Sequence, residues 1–367
     1  MTVAHSATDR LLADFAARKP AALARAISIV ENHRPGSDRL LAALHAGTGR
    51  ARRIGITGPP GAGKSTLVMQ LVRTYRSRGL TVGVVAVDPT STFTGGALLG
   101  DRIRMEPVAL DPGVYIRSLA TRGALGGLSA ATREVADVLD AYGFDRILIE
   151  TVGVGQSELE VARTADSCVV VLVPESGDAI QTLKAGLMEI ADVFVVNKAD
   201  RPGADRLRSE LKVMLHLRTS RIRGGHNASR DPRPGGLSHS PALSPAPDDA
   251  RATGAGPRPW LPPVLTAVAA DGTGIPEVLD ALDGHHEYLS TSGLLAERRR
   301  ARLRARVADV VDLKVRARLW GDAGTEAWLD TQLAALESGH TTPFDVADEL
   351  LGRSARLLTG EADDLHQ

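Results

Sequence analysis

The stretch GPPGAGKS, Gly58 to Ser65, holds the residue types needed to cradle a chain of phosphates. Gly58, Pro59, Pro60, Gly61, Ala62 and Gly63 are small or turn-forming, so backbone N–H groups can close around an anion. Lys64, Ser65 and Thr66 follow, completing the spacing G-x-x-x-x-G-K-[ST]. The apolar run RIGITG precedes this loop and the helical pattern TLVMQLVRTYRSRG continues it, which adds the partial positive charge of a helix N-terminus. In such a loop Lys64 reaches the β and γ phosphates and Ser65 holds Mg²⁺. A second stretch, VVNKAD, closes another apolar run with Asn197, Lys198 and Asp200 at N-K-x-D spacing. A carboxylate there accepts from both the ring N–H and the exocyclic amine of guanine. Adenine offers a lone pair in place of the ring N–H, and a buried unmade bond costs about 1 to 3 kcal/mol. The two stretches together point to GTP and GDP rather than adenine nucleotides.

Two acidic residues are candidates for the metal shell. Asp88 ends the apolar run TVGVVAVD, where a helix cap is the alternative reading. Asp101 lies in FTGGALLGDRIRM, a Gly-rich stretch suited to a segment that moves near the γ-phosphate, where a surface ion pair with Arg102 or Arg104 is the alternative. A third carboxylate, Glu150, sits at the end of the run RILIE.

These residues need a scaffold that gathers the ends of separate segments. Short apolar runs at 53 to 58, 81 to 88, 114 to 118, 146 to 152, 167 to 174, 193 to 200 and 263 to 269 alternate with helical patterns. That alternation predicts an α/β fold whose mostly parallel central sheet is covered by helices on both faces. In open sheets of this kind ligands bind at the carboxyl ends of the strands. Residues 1–50 read as an N-terminal helical region, 51–284 as the nucleotide-binding domain and 285–367 as a C-terminal helical region. The stretch 218–258 is rich in Gly, Pro, Ser and Arg and reads as a disordered surface insertion. Leu303, Val307, Val310, Val311 and Leu319 fall on one side of a long C-terminal helix, an apolar stripe suited to helix packing or dimerisation. The arginines at 298 to 306 read as a solvated face of that helix.

Composition removes several classes. Among 367 residues, 44 basic side chains balance 44 acidic ones, so no global field favours nucleic acid or an anionic membrane. Cys168 is the only cysteine and reads as a small buried hydrophobe, which excludes an intrachain disulfide framework. His285 and His286 read as ending a helix. No run approaches the roughly 20 apolar residues of a membrane helix and no signal peptide is seen, so a cytoplasmic location is expected.

The stretches VDPTSTFTGGALLGDRIRM, RGALGGLSAATRE, GFDRILIETVGVGQSE and ESGDAIQTLKAGLMEIADVFVVNKAD, in this order behind GPPGAGKST, closely resemble the MeaB/ArgK family of P-loop GTPases. That family includes the methylmalonic aciduria type A protein. The resemblance is dense over residues 20 to 217 and looser over 260 to 352. It implies a GTP-hydrolysing chaperone of an adenosylcobalamin-dependent acyl-CoA mutase, foremost methylmalonyl-CoA mutase, gating cofactor delivery from a cobalamin adenosyltransferase. It implies a homodimer formed through C-terminal helices. Asp88, Asp101 and Glu150 match the family's acidic positions at the magnesium and switch regions, and Pro174 to Lys184 looks like its third switch.

Glu150 and Gly153 form E-x-x-G where Ras-like GTPases have D-x-x-G. Gln156 lies three residues after Gly153 instead of following it directly, and reads as part of the moving segment. Lys184 and Arg104 are further candidates to complete the site. Two departures stand out: the insertion replaces what is a short connection in relatives, and TAVAADGTG lacks the serine of a base-contacting S-A-like loop. Related isobutyryl-CoA or ethylmalonyl-CoA mutases are alternative clients. A kinase of an amino-acid transport system is the competing enzyme class; a GTP-binding scaffold and a nucleic-acid-binding GTPase are the remaining readings.

Overall fold

The computed structural model describes residues 2–88, 106–120, 127–151, 157–175, 186–224 and 259–353. Within them a seven-stranded sheet is built from β1 (Arg52–Thr57), β2 (Val82–Asp88), β3 (Val114–Ala120), β4 (Arg146–Thr151), β5 (Ser167–Leu172), β6 (Val193–Val196) and β7 (Val264–Thr266). Their order is β3-β2-β4-β1-β5-β6-β7 and each pairing is parallel, as the alternating pattern predicts. Every strand therefore delivers its carboxyl end to one edge. The sheet order reverses around β1: the chain leaves it toward β2 on one side and later returns to its other side as β5, so the loop after β1 opens at the switch point.

The helices are α1 (Thr2–Ala16), α2 (Pro20–Glu31), α3 (Ser37–Leu44), α4 (Lys64–Ser77), α5 (Glu106–Ala109), α6 (Gly127–Tyr142), α7 (Ser157–Thr164), α8 (Met188–Ile190), α9 (Ala204–Gly224), α10 (Ile275–Thr291), α11 (Leu294–Trp320), α12 (Ala323–Glu337) and α13 (Pro343–Arg353). Side chains that alternate along each strand feed separate layers. Leu148, Val169 and Val171 pack with Leu67, Val68 and Leu71 of α4 and Val278 and Leu279 of α10. Ile147 and Ile149 face the other way, onto Val135 and Leu139 of α6 and a shell of Leu11, Phe15, Leu23, Ile27 and Val30 from α1 and α2. Val170, Leu172, Phe194 and Val196 are covered by Leu207 and Leu211 of α9. The N-terminal helices thus belong to the same core as the sheet.

Two compact units result, Met1–Arg298 and Arg299–Gln367. The first extends beyond residue 284 because α10 is not broken at His285 and His286. The helix continues to Thr291 and stops where Ser292 Oγ turns back to the Tyr288 carbonyl (2.6 Å) and Gly293 takes a left-handed φ of 78°. The reading of the two histidines as a helix end is therefore corrected: nothing between Gly284 and Ser292 breaks helical hydrogen bonding. Helix α9 runs to Gly224, past the expected start of the insertion at 218; residues 225–258 lie outside the described residues. In the second unit the Asp322 carboxylate caps α12 at Thr325 N–H (2.9 Å), and the Arg353 guanidinium lies 5.1 Å from the Trp328 ring centre. Leu303, Val307 and Val311 of the apolar stripe are exposed, while Leu319 is buried. Among the described residues no helix is long and apolar enough to cross a membrane.

The opposite, amino-terminal edge of the sheet is pinned at Asp192. Its carboxylate accepts from the Cys168 N–H (2.9 Å), meets His285 Nε2 (3.2 Å) and holds the Arg298 guanidinium (3.2 Å). His285 is fully buried, and its Nδ1 lies 2.8 Å from Ser167 Oγ. The Trp260 indole donates to the Asp192 carbonyl (2.8 Å). Burial alone would raise the Asp192 pKa, but the neighbouring His285 ring and the Arg298 charge outweigh it and hold the group below the usual carboxylate range. Cys168 is buried as the sequence suggests, and burial pushes its thiol well above the ordinary range.

Because the folded Asp192 titrates below its unfolded value of 3.8, its contribution to stability is complete above that pH and is lost as the pH falls beneath it. Asp192→Asn should cost about 1 to 2 kcal/mol at pH 7, since Cys168 N–H, His285 and the partly exposed Arg298 lose a charged acceptor. It should also flatten the loss of stability between about pH 4 and pH 2, the range in which the folded carboxylate takes up its proton. Denaturant titrations of both proteins across that range decide the point; parallel curves would remove Asp192 as the group responsible.

Candidate functional site

At the carboxyl edge, β1 ends at Thr57 and the chain turns through Gly58 to Gly63 into α4. Gly58 has a φ of 137°, and a Cβ placed there would fall 2.1 Å from the Val171 carbonyl oxygen of β5, so only glycine lets the loop leave this close to the neighbouring strand. Gly63 is left-handed at φ 83° and caps α4 with backbone alone; a Cβ there would meet Asn197 Nδ2 at 2.3 Å. Pro60 and Gly61 form the exposed tip, whereas Ala62 is buried. The first-turn amides of α4 are those a helix cannot satisfy internally, and they open on the loop.

Lys64, the first helical residue, is buried, and its ammonium donates to the carbonyls of Gly58 (2.7 Å) and Pro59 (3.0 Å). The next residue, Ser65, donates its hydroxyl to Glu150 Oε1 at 2.6 Å. Glu150 is 1% exposed and stands in register with Ile56 of β1 and Ala86 of β2, while Thr151 Oγ1 lies 3.2 Å from Thr57 Oγ1. The sheet register thus carries a carboxylate from the tip of β4 to the first turn of α4. Thr66 follows in that turn, half-buried. The backbone of Asp88 ends β2 opposite Ala120, two positions beyond Ala86. The Asp88 side chain and residues Asp101, Arg104, Gly153, Gln156 and Lys184 lie outside the described residues.

The second motif is brought to the same edge. Asn197, 2% exposed at the end of β6, donates from Nδ2 to the Ala62 carbonyl (2.8 Å) and accepts at Oδ1 from the Ala269 N–H (3.0 Å). Its carboxamide therefore joins the loops that follow β1, β6 and β7. Gln70 of α4 adds a bond from Nε2 to the Ala269 carbonyl (3.0 Å). Lys198 takes a left-handed φ of 56°, and Asp200 is exposed two residues on. The Lys198 ammonium lies 3.9 Å from Glu175 Oε2, and Arg201 hydrogen-bonds the same carboxylate.

The structure thus gathers Gly58, Lys64, Ser65, Glu150 and Asn197 at one edge, with Lys198 and Asp200 on the turn that follows. Gln70 is a participant that the motifs leave out, while Ala269 and Glu175 lie inside noted stretches but without the contacts they make here. The run TAVAADGTG, which lacks the expected serine, directs a backbone amide, Ala269 N–H, to Asn197. Gln70 carries no signal because its role depends on a contact to a residue far along the chain. Chemically, the edge offers an ammonium, a helix N-terminus and paired hard oxygens to an anionic ligand, and an exposed carboxylate to a donor-bearing one.

The sequence matches the family model described as methylmalonyl-CoA mutase-associated GTPase MeaB over residues 23–324. A protein of Pyrococcus abyssi named as a GTPase is 48% identical over 290 residues, which cover 79% of each chain. The mitochondrial methylmalonic aciduria type A homolog of Mus musculus is 30% identical over 362 residues, covering 94% of this chain and 78% of the mouse protein. Among solved structures, that of an LAO/AO transport system kinase aligns with a TM-score of 0.62 at 26% identity, covering 95% of this chain and 97% of the other.

The approach of Gly63 to Asn197 is open to a double-mutant cycle. Gly63→Ala should destabilise the protein by more than the about 1 to 2 kcal/mol of left-handed strain alone, and the excess should vanish in an Asn197→Ala background. Urea denaturation of the four proteins supplies the comparison. Equal costs in both backgrounds would show that the close approach does not constrain position 63.

Proposed function

The chain belongs to the MeaB family of GTPases, and on that premise we propose that it hydrolyses GTP at the loop between β1 and α4 as the switch of a chaperone for an adenosylcobalamin-dependent acyl-CoA mutase. Methylmalonyl-CoA mutase is the first client, supported by the family description. The observation that carries the site assignment is the 2.6 Å contact between Ser65 Oγ and Glu150 Oε1 beside the buried ammonium of Lys64. It gathers, at the carboxyl edge of one sheet, the charges that a nucleoside triphosphate requires.

In this reading the amides of Gly61 to Thr66 surround the phosphates of GTP, and Lys64 compensates charge on the β and γ oxygens. Asp200 accepts from the ring N–H and exocyclic amine of guanine, while Asn197 holds the phosphate loop and the base-reading turn at fixed separation. Among the described residues no group of three or more His, Cys, Asp or Glu side chains is placed to hold a metal. Ser65 and Glu150 are nevertheless hard oxygen donors that fit magnesium, an ion held through one or two protein oxygens with water and phosphate completing its shell. Bound there, such an ion would neutralise developing charge on the phosphates. Asp88 and Asp101 are assigned to the same acidic set.

Hydrolysis forms a bond from a water oxygen to the γ-phosphorus and breaks the bond to the β–γ bridging oxygen, releasing GDP and phosphate. Lys64 stabilises charge on that leaving oxygen. Gly153 and Gln156 follow Glu150 and are assigned to the segment that senses the γ-phosphate. The exposed stripe of Leu303, Val307 and Val311 supports a homodimer formed through the C-terminal unit. A cobalamin adenosyltransferase completes the set of partners, in the cytoplasm.

Lys64→Ala should lower GTP turnover at least about 100-fold, measured as phosphate release. Asp200→Asn should transfer preference from guanosine to xanthosine triphosphate, because the amide donates to the 2-carbonyl that replaces the guanine amine. Adding the client mutase should accelerate turnover of the unaltered protein. If no adenosylcobalamin mutase does so, the chaperone role falls while the GTPase assignment stands.

A further inference from the structure

Asp200 has a cationic neighbour that the reading above leaves without a role. Arg201 directly follows it, and a free guanidinium beside a carboxylate is a competitor for the same oxygens that guanine must reach. The structure shows where that guanidinium goes instead. Glu175, at the turn after β5, accepts a hydrogen bond from Arg201 Nη1 and stands 3.9 Å from the Lys198 ammonium. The turn carrying Glu175 also lies beside the base-reading turn: a Cβ built on Gly203 would lie 3.6 Å from the Pro174 Cβ, at ordinary contact distance. The carboxylate is thus supplied by a second segment already packed alongside.

We infer that Glu175 is a specificity-determining residue, which draws Arg201 aside and leaves the Asp200 carboxylate available to the guanine edge. Stability alone gives little reason for the arrangement. Glu175 and Arg201 are both 47% exposed, and pairs at such exposure contribute only about 0 to 1 kcal/mol to folding. The turn itself is secured by backbone bonds, from Ala199 N–H to the Ala267 carbonyl (3.0 Å) and from Arg201 N–H to the Lys198 carbonyl (3.0 Å). What those bonds do not determine is which carboxylate the Arg201 side chain selects. The inference rests on the reading of Asp200 as the guanine acceptor, and it adds that the acceptor is protected by a second anion.

The test compares GTP with inosine triphosphate, which lacks the exocyclic amine, in fluorescence-competition titrations of the full chain. Glu175→Gln should weaken GTP binding by about three- to fivefold and narrow the ratio between GTP and inosine triphosphate, with an unchanged melting temperature. Arg201→Gln alone should bind as the unaltered protein does. The double variant should recover GTP affinity, because the competing cation is gone; a role confined to holding the turn in place would leave it as weak as the single variant. High salt should shrink the deficit of Glu175→Gln. Unaltered affinity and selectivity in Glu175→Gln, or a double variant that stays weak, overturns the inference and leaves the GTPase reading intact. Absence of any preference for GTP in the unaltered protein overturns both.

Discussion

The carboxamide of Asn197 is the link on which the carboxyl edge depends. The Ala62 carbonyl requires a donor and the Ala269 N–H requires an acceptor, so the orientation of the amide is set by its partners. Strand β5 lies between β1 and β6, and without this bridge the loops that leave those two strands would be related only through the sheet. The bridge in turn dictates glycine at position 63, where no Cβ can stand beside Nδ2. A motif read as a base-recognition signal is therefore also a strut, and the residue that appears least chemical in N-K-x-D carries the geometry for the others.

Much of the fold could be read from local patterns. Apolar runs of strand length, glycines ahead of a lysine and a helical repeat behind it are properties of neighbours in sequence, and each of the seven runs becomes a strand. Glu150 was legible because its charge interrupts an apolar run. The misses share one cause: they depend on contacts between distant residues. Ser167 and His285 are separated by 118 positions, and no periodicity announces that a histidine will lie in the middle of α10 with a serine on one nitrogen and Asp192 on the other. Glu175 was legible only as a member of the stretch Pro174 to Lys184 read as a switch; its pairing with two cations could not be read, because they lie on a turn that follows a different strand.

The two ends of β6 show how the halves of the structure communicate. Asp192 immediately precedes the strand and Asn197 immediately follows it, with four buried residues between. One end is fixed to β5, α10 and Arg298, the other to the loops after β1 and β7. A strand held at both ends in a close-packed interior has little freedom to slide, so the position of the base-reading turn is set by the amino edge as well as by its own bonds.

Trp260 gives this scaffold an anchor of another kind. Its indole is fixed to the Asp192 carbonyl, and its ring packs 4.9 Å from that of His285 and 5.7 Å from that of Tyr288. The chain that departs at the end of α9 is thus returned to the sheet at a defined point just before β7. The register of β7 against β6 is accordingly set by a residue that the amino edge itself holds, so the pairing of the sheet's outermost strand and the geometry at Asp192 depend on the same indole.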